Sequence, residues 1–418
     1  MGNPILLGSL TASTASIILS ASEAQAKDAS EIQRIAKAIT VRIEGANQGS
    51  GVLVKKKGNR YTVLTAWHVV KDNMPEEEVG IITSDGKEHL WESKTLQRLG
   101  SFDMAILTFL SEDNYELAKM NIKSDIESDQ DIFIAGFPLR DSKNLSLSKG
   151  LVIANSNIIF GEGYQLLYTT KTEAGISGGP ALNKNGFLVG IHGRGEYSEV
   201  MSQLKAKTSK TGINQGLPIK HYKNFISGKP LLEYKGKLNS QDYLVKARHL
   251  SISQGMSKEV KRLAQKSLDL EPSFWSYYMI LTSVDSDFSK ENRKERDLKI
   301  KKALDLPIKN NNYLIYYSRA ILLRFFSAEI GNPYKYYNQS IEELTKAIKL
   351  NPECSLCYAT RGVDKSFLGN KKGALADYNK AINLNPYDAQ AYIYRAGLYT
   401  NDKDLKNYDS AIDDWTSY

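Results

Sequence analysis

Three residues in the first half of the chain have the types that acyl transfer needs. Ser177 lies in "TKTEAGISGGPALN", and a glycine-rich stretch of that kind by itself reads as a turn. A serine hydroxyl is a poor nucleophile at neutral pH, so it needs a base within hydrogen-bond reach and a carboxylate to orient that base. His68 ends the apolar run "YTVLTAWHVV", which puts an imidazole at a strand end. Asp103 opens "SFDMAILTF", a carboxylate at the mouth of another apolar strand. Of the other histidines, His89 sits in the polar run "DGKEHLW" and reads as surface, His221 follows the last β run, and His249 falls in a helical region.

Strands must carry these residues. From about residue 39 to 226 the chain is a series of short β-branched, apolar runs, among them "TVRIEG", "GVLVKK", "YTVLTA", "GIITS", "MAILTF", "DIFIAG", "GLVIAN", "QLLYTT" and "FLVGIHG". Gly, Asn, Asp and Lys clusters separate them, a pattern that predicts an all-β barrel or sandwich unit. Ahead of it, Ser30 and Gln33 predict a capping box over "EIQRIAKAI", a lead-in helix with Ile32, Ile35 and Ile39 on one face.

After a polar stretch, "SGKPLLEYKGKLNS", the periodicity turns helical and the chain repeats itself. "TKAIKLNP" ends at Pro352 and "NKAINLNP" at Pro386, and Arg361 and Arg395 keep the same spacing of 34 residues. That period is the mark of tetratricopeptide repeats, whose helix pairs stack because one pair cannot bury its apolar face alone. The unit ending at Pro386 resembles the tetratricopeptide pattern at Tyr358 and Gly362 on its first helix and at Ala374, Tyr378 and Ala381 on its second. Weaker copies end at Pro272 and Pro307, an insertion around "FSAEIGNPYKYY" lengthens the third, and a fifth stops in mid-helix at Tyr418, which predicts truncation or a docking partner. Cys354 and Cys357, the only cysteines, cannot supply four zinc ligands; their spacing suits two small packing residues on one helical turn, with a redox pair as the alternative.

With 41% hydrophobic and 24% charged residues the chain is an ordinary globular composition, too long at 418 residues for one core. The net charge of +8 has no compact basic block to read as a nucleic-acid surface. Residues 5–19 are apolar and small and are followed by Ala24-Gln25-Ala26, a signal-peptidase pattern that predicts export. The expected organisation is a signal peptide over 1–26, a catalytic β domain over 27–228, a linker over 229–239 and a helical repeat domain over 240–418.

The order His68, Asp103, Ser177 resembles that of the chymotrypsin-like (trypsin-like) serine proteases, built on paired β-barrels. The resemblance covers roughly residues 39–226. "NQGSGVLV" at 47–54 and "AGFP" at 135–138 look like stretches of the HtrA-type bacterial members, an exported type found in periplasm, lumen or medium. It implies an all-β double-barrel domain followed by an all-α solenoid, and endopeptidase activity through an acyl-enzyme. In that resemblance His68 is the base and then the acid, Asp103 fixes its tautomer, and Ser177 attacks the carbonyl. The backbone N–H groups of Gly175 and Ser177 form the oxyanion hole. "LVGIHGRG" at 188–195 resembles the strand that lines the primary pocket, with His192 and Gly193 as substrate-binding residues and Lys171 near the pocket base; a plain strand histidine is the alternative for His192. No metal and no cofactor is implied. Ile176 replaces an aspartate that pairs with a freshly cut N-terminus in digestive members, which implies a zymogen-free enzyme, and Trp67 stands beside the base where a small residue is usual.

The competing expectation is a catalytically inactive protease-like scaffold whose repeats act as a protein-binding module. The G-x-S-x-G elbow of α/β-hydrolases fits poorly, since it needs long helices between strands and a histidine after the serine. In the favoured reading the repeats recruit a protein substrate or partner.

Overall fold

In the computed structural model the described residues are 27–416, apart from 75, 121–125, 171, 198–209, 230–233, 255–256, 283–289, 309–311, 328–332, 386–388 and 402–406. The expectations for the 1–26 leader, Lys171 and Pro386 therefore lie outside them. Among the described residues no helix is long and apolar enough to cross a membrane.

The lead-in helix α1 (Ala29–Ile39) buries Ile32, Ala36 and Ile39. Its cap is Asp28 rather than Ser30: the Asp28 carboxylate accepts from the Glu31 N–H at 2.8 Å, and the Ser30 hydroxyl donates to Asp28. Both are good capping types, and the earlier one starts the helix two residues sooner.

The first sheet contains β1 (Thr40–Glu44), β2 (Gln48–Lys57), β3 (Arg60–Thr65), β4 (Gly80–Ile82), β5 (Glu88–Leu90), β6 (Gln97–Arg98) and β7 (Ala105–Leu110) in the order β5-β4-β1-β2-β3-β7-β6. Strand β7 alternates as a half-buried strand should, with Ala105, Leu107 and Phe109 inward. A single bridge from Trp91 to Phe109 draws the sheet's far edge round to β7, giving a half-barrel. His89, expected at the surface, is half-buried: it stacks on Phe109 at 4.8 Å and hydrogen-bonds the Tyr115 hydroxyl at 2.9 Å.

The second sheet closes fully. Its strands β8 (Asp131–Gly136), β9 (Ser146–Asn155), β10 (Leu166–Thr169), β11 (Pro180–Asn183), β12 (Leu188–Tyr197) and β13 (Lys210–Pro218) run in the closed order β10-β13-β12-β11-β8-β9. One core joins the two sheets, with Val52, Val63 and Leu107 of the first and Leu182, Ile191 and Leu217 of the second. The register that matters most is Thr65 opposite Ala105 in the antiparallel β3–β7 pair and Gly51 opposite Thr65 in the β2–β3 pair. It puts Ser50, the residues just after β3 and the residues just before β7 at one end of the half-barrel.

A short helix α3 (Lys220–Ile226), after the single turn α2 (Trp67–Val70), closes the β region. From Ser240 onward the chain is helical. It begins with α4 (Ser240–Gln254), α5 (Lys258–Leu270) and α6 (Phe274–Thr282), and continues through α7 (Lys290–Asp305), α8 (Tyr313–Ser327) and α9 (Pro333–Leu350). The last four described helices are α10 (Ser355–Phe367), α11 (Lys371–Leu384), α12 (Ala389–Asn401) and α13 (Tyr408–Thr416). The repeat signature packs as small-against-large: a Cβ on Gly362 would collide with the Tyr378 ring, and Ala374 and Ala381 are fully buried. The recurring arginines have a shared task. Arg361 forks onto Asp377 with bonds of 2.9 and 2.8 Å, and Arg395 forks onto Asp414, each tying a first helix to the next. Cys354 and Cys357 form a disulfide at the start of α10, not a pair of packing thiols; the capping turn holds their Cα atoms 5.3 Å apart, within bridging range.

The helical array is not hung on a free tether. Leu151, Ile153, Leu167 and Ile213 of the closed barrel share one apolar cluster with Leu244, Trp275 and Leu314 of the helices. Asp242, fully buried, accepts from the Ser156 hydroxyl at 3.0 Å and the Asn157 N–H at 2.6 Å, while its other oxygen accepts the Asn239 N–H at 2.9 Å. Asn312 donates to the Thr169 hydroxyl at 3.0 Å.

Candidate active site

The end of the half-barrel brings His68 and Asp103 into direct contact. Residue 66 leaves β3 in extended conformation and the chain turns at once into α2, which carries His68. The Asp103 carboxylate takes two hydrogen bonds from this residue, the His68 N–H on Oδ1 at 2.8 Å and the ring Nδ1 on Oδ2 at 2.7 Å. With Nδ1 as donor, Nε2 is the free, basic nitrogen. Asp103 is 1% exposed. Burial pushes its pKa up, but the hydrogen bonds and charge of His68 and the hydroxyl of Tyr164 outweigh that, and the carboxyl is held below its ordinary value. Trp67 turns to the side: its ring packs on the core and lies under the Arg98 guanidinium at 5.4 Å.

The loop 175–179 comes from the other sheet and is stitched to this end by Ser50. The Ser50 hydroxyl donates to the Gly175 carbonyl at 2.8 Å and its N–H donates to the Ser177 carbonyl at 2.8 Å. The same hydroxyl accepts the Phe137 N–H at 2.9 Å. Gly175 and Gly178 have φ of +96° and +85°, where glycine has no steric penalty, and Gly178 lies so close to Ser50 and Ala66 that a Cβ would overlap their backbone. Ile176 is buried in the barrel core beside Ile134 and Val189, an apolar anchor where an ion pair is absent.

Two backbone N–H groups of this loop are left over. The Ala174 carbonyl accepts from Leu139 at 2.8 Å and the Ile176 carbonyl from Gly179 at 3.0 Å. A trans peptide points its N–H opposite its carbonyl, so the N–H groups of Gly175 and Ser177 face away from those tethers. Among the described residues neither has an acceptor. The Ser177 hydroxyl donates to the Gly193 carbonyl at 3.0 Å rather than to His68.

Residues 49–191 match the family model of the trypsin-like peptidase domain, a span that contains His68, Asp103 and Ser177. This part of the chain is a trypsin-like peptidase domain. It is similar to the "Serine protease Do-like HtrA" of Bacillus subtilis, 26% identical over 157 residues, which are 35% of this chain and 33% of that protein. The helical part is similar to the "TPR repeat-containing protein MJ1428" of Methanocaldococcus jannaschii, 31% identical over 108 residues, or 26% of this chain and 18% of that protein. It is also similar to human "Tetratricopeptide repeat protein 6", 31% identical over 88 residues, or 21% of this chain and 15% of that protein. The chain thus spans a third or less of the length of these curated relatives. Among solved structures, the serine endoprotease from Yersinia pestis overlaps 48% of this chain and 66% of its own at 19% identity and a TM-score of 0.37.

Within the peptidase domain His192 is 2% exposed. Its Nδ1 lies 2.6 Å from the Tyr168 hydroxyl, and its backbone pairs with the 175–179 loop, accepting from Gly178 and donating to Gly179 at 2.8 Å each. Gly193 contributes its carbonyl to Ser177. Four residues of the site carried no sequence signal strong enough to single them out. Ser50 stood inside a glycine-rich strand start. His221 is buried against Phe102 at 4.0 Å and hydrogen-bonds the Gly163 carbonyl. Arg194 covers the Tyr164 ring at 4.3 Å. Tyr164, in the loop "FGEGYQ", donates its hydroxyl to Asp103. Each is recognisable only through a partner far away in the chain.

Proposed function

We propose that the chain is a serine endopeptidase acting through His68, Asp103 and Ser177. One observation carries this reading: a buried Asp103 takes both the backbone and the ring N–H of His68, which supports Nε2 as the base. Ser177 Oγ attacks the scissile carbonyl carbon as His68 Nε2 takes its proton, and the oxyanion forms within reach of the Gly175 and Ser177 N–H groups. Collapse expels the amine with the proton from His68 and leaves the acyl on Ser177. Water, deprotonated by the same nitrogen, then releases the acid. For the attack the serine hydroxyl leaves the Gly193 carbonyl and turns to His68, since catalytic hydrogen bonds commonly tighten only with substrate bound. In this reading Gly193 holds the resting Ser177 hydroxyl, the buried His192 backs the serine loop through its own backbone, and the tetratricopeptide-type helices recruit a protein substrate or partner.

A non-catalytic scaffold is favoured by one observation, the Ser177 hydroxyl resting on Gly193. A fluorophosphonate probe separates the two. Wild-type chain labels at Ser177, Ser177→Ala does not, and turnover of a protein substrate falls by roughly 10⁶ in that variant with its melting curve unchanged. A folded wild type that neither labels nor turns over leaves the scaffold.

A further inference from the structure

Asp103 has a third donor. Tyr164 OH donates to Oδ2, the oxygen that also takes His68 Nδ1–H, and the phenol is 5% exposed. Burial and the neighbouring Asp103 charge push the phenol pKa up, so the hydroxyl keeps its proton and can only donate. The ring needs the room it has: a Cβ on Gly193 would overlap it, and Gly193 is the residue whose carbonyl takes the Ser177 hydroxyl. Ser177, Gly193, Tyr164, Asp103 and His68 therefore form one chain of contacts.

The segment that carries Tyr164 is pinned at both ends. Toward the site, the Glu162 carbonyl accepts the Asp103 N–H at 2.7 Å and the Gly163 carbonyl faces His221 Nε2 at 3.2 Å. On the other side, Asp242 of α4 holds Ser156 and Asn157, and the His249 ring stacks on Phe160 at 5.8 Å. We propose that Tyr164 is a positioning residue for the acyl-transfer site, holding the Asp103 carboxylate toward His68 through the gap left by Gly193, on a strap that the first helix of the repeat array buttresses. This rests on the serine peptidase reading above.

The charged and titratable groups around Asp103 and Tyr164 are His68 on α2, Glu162 on the strap, Arg194 on β12, Arg98 on β6, His221 on α3 and His249 on α4. Removing only the phenol oxygen leaves the rest in place. Tyr164→Phe in the full chain should lower kcat/KM about tenfold through kcat, the scale of one hydrogen bond to a charged group. Without that donor the Asp103 carboxyl rises, so the acid limb of the kcat/KM profile moves to higher pH. In the Asp103→Asn background, Tyr164→Phe should cost nothing further, because the hydroxyl acts through that carboxylate. Site-specific 3-fluorotyrosine at 164, a stronger donor of nearly the same shape, should move the acid limb the opposite way, and it serves should Tyr164→Phe fold poorly. An active wild type whose rate and acid limb are unchanged in both Tyr164 variants overturns this inference alone, as does an equal loss in the Asp103→Asn background. A wild type without activity overturns the peptidase reading and this one together.

Discussion

His221 shows how one buried side chain ties the peptidase core to pH. Its ring lies on Phe102, next to Asp103, and is 2% exposed. Burial, and then the charge of Lys220, push its pKa down to about 4, against the bond to the Gly163 carbonyl, which raises it. Its folded value thus lies below that of the unfolded chain, about 6.5. Above pH 6.5 the contribution to stability is fully present. As pH falls from 6.5 toward 4 the unfolded chain takes up a proton that the folded chain refuses, and the contribution is lost, at most about 3 kcal/mol. Denaturant midpoints measured across this window should fall in the wild type and fall less in His221→Phe; equal slopes would remove His221 as the cause.

The 175–179 loop is an element whose shape is imposed from outside. Ser50 clamps the Gly175 and Ser177 carbonyls, and Gly178, at φ +85°, sits where a Cβ would meet Ser50 and Ala66 backbone. Gly178→Ala must lift the loop from the end of β3, the end that carries His68. A displacement of that size should reduce fluorophosphonate labelling by about 10² or more, with a loss of stability of about 1–3 kcal/mol from the strained backbone. Circular dichroism checks that the sheets survive, and undiminished labelling would show that the loop tolerates the shift.

At the scale of the molecule, the array and the closed barrel share a core, with Leu151, Leu167 and Ile213 packed against Leu244 and Trp275. Asp242 is the polar centre of that contact. Asp242→Ala leaves the Ser156 hydroxyl and the Asn157 and Asn239 N–H groups without their acceptor, a loss of about 3 kcal/mol. Calorimetry of the full chain should show one transition, and the variant should lower it as a whole, with labelling of Ser177 and helical signal lost together. Two separable transitions, only one of them moved, would mean that the units fold independently.

Local chemistry was legible in the amino-acid order. β-branched runs of strand length announced nine of the strands, because side chains that crowd χ1 prefer a pleated surface. Strands β11 and β13, "PALN" and "KTGINQGLP", carry no such alternation; they are strands because barrel closure supplies partners on both sides. The repeat period was plain, and so were Arg361 and Arg395, but not the Asp377 and Asp414 that each of them grips.

For this chain the sequence by itself determined which residue types stand at the ends of which strands, and hence that a serine, a histidine and an aspartate could meet. Only the tertiary structure decided the contacts around each of them. Asp103 takes a third donor from Tyr164, 61 positions away, and Ser50 grips a loop 125 positions away. Such contacts are set by sheet register and barrel closure, which bring distant segments together without leaving any periodic trace in the order of residues.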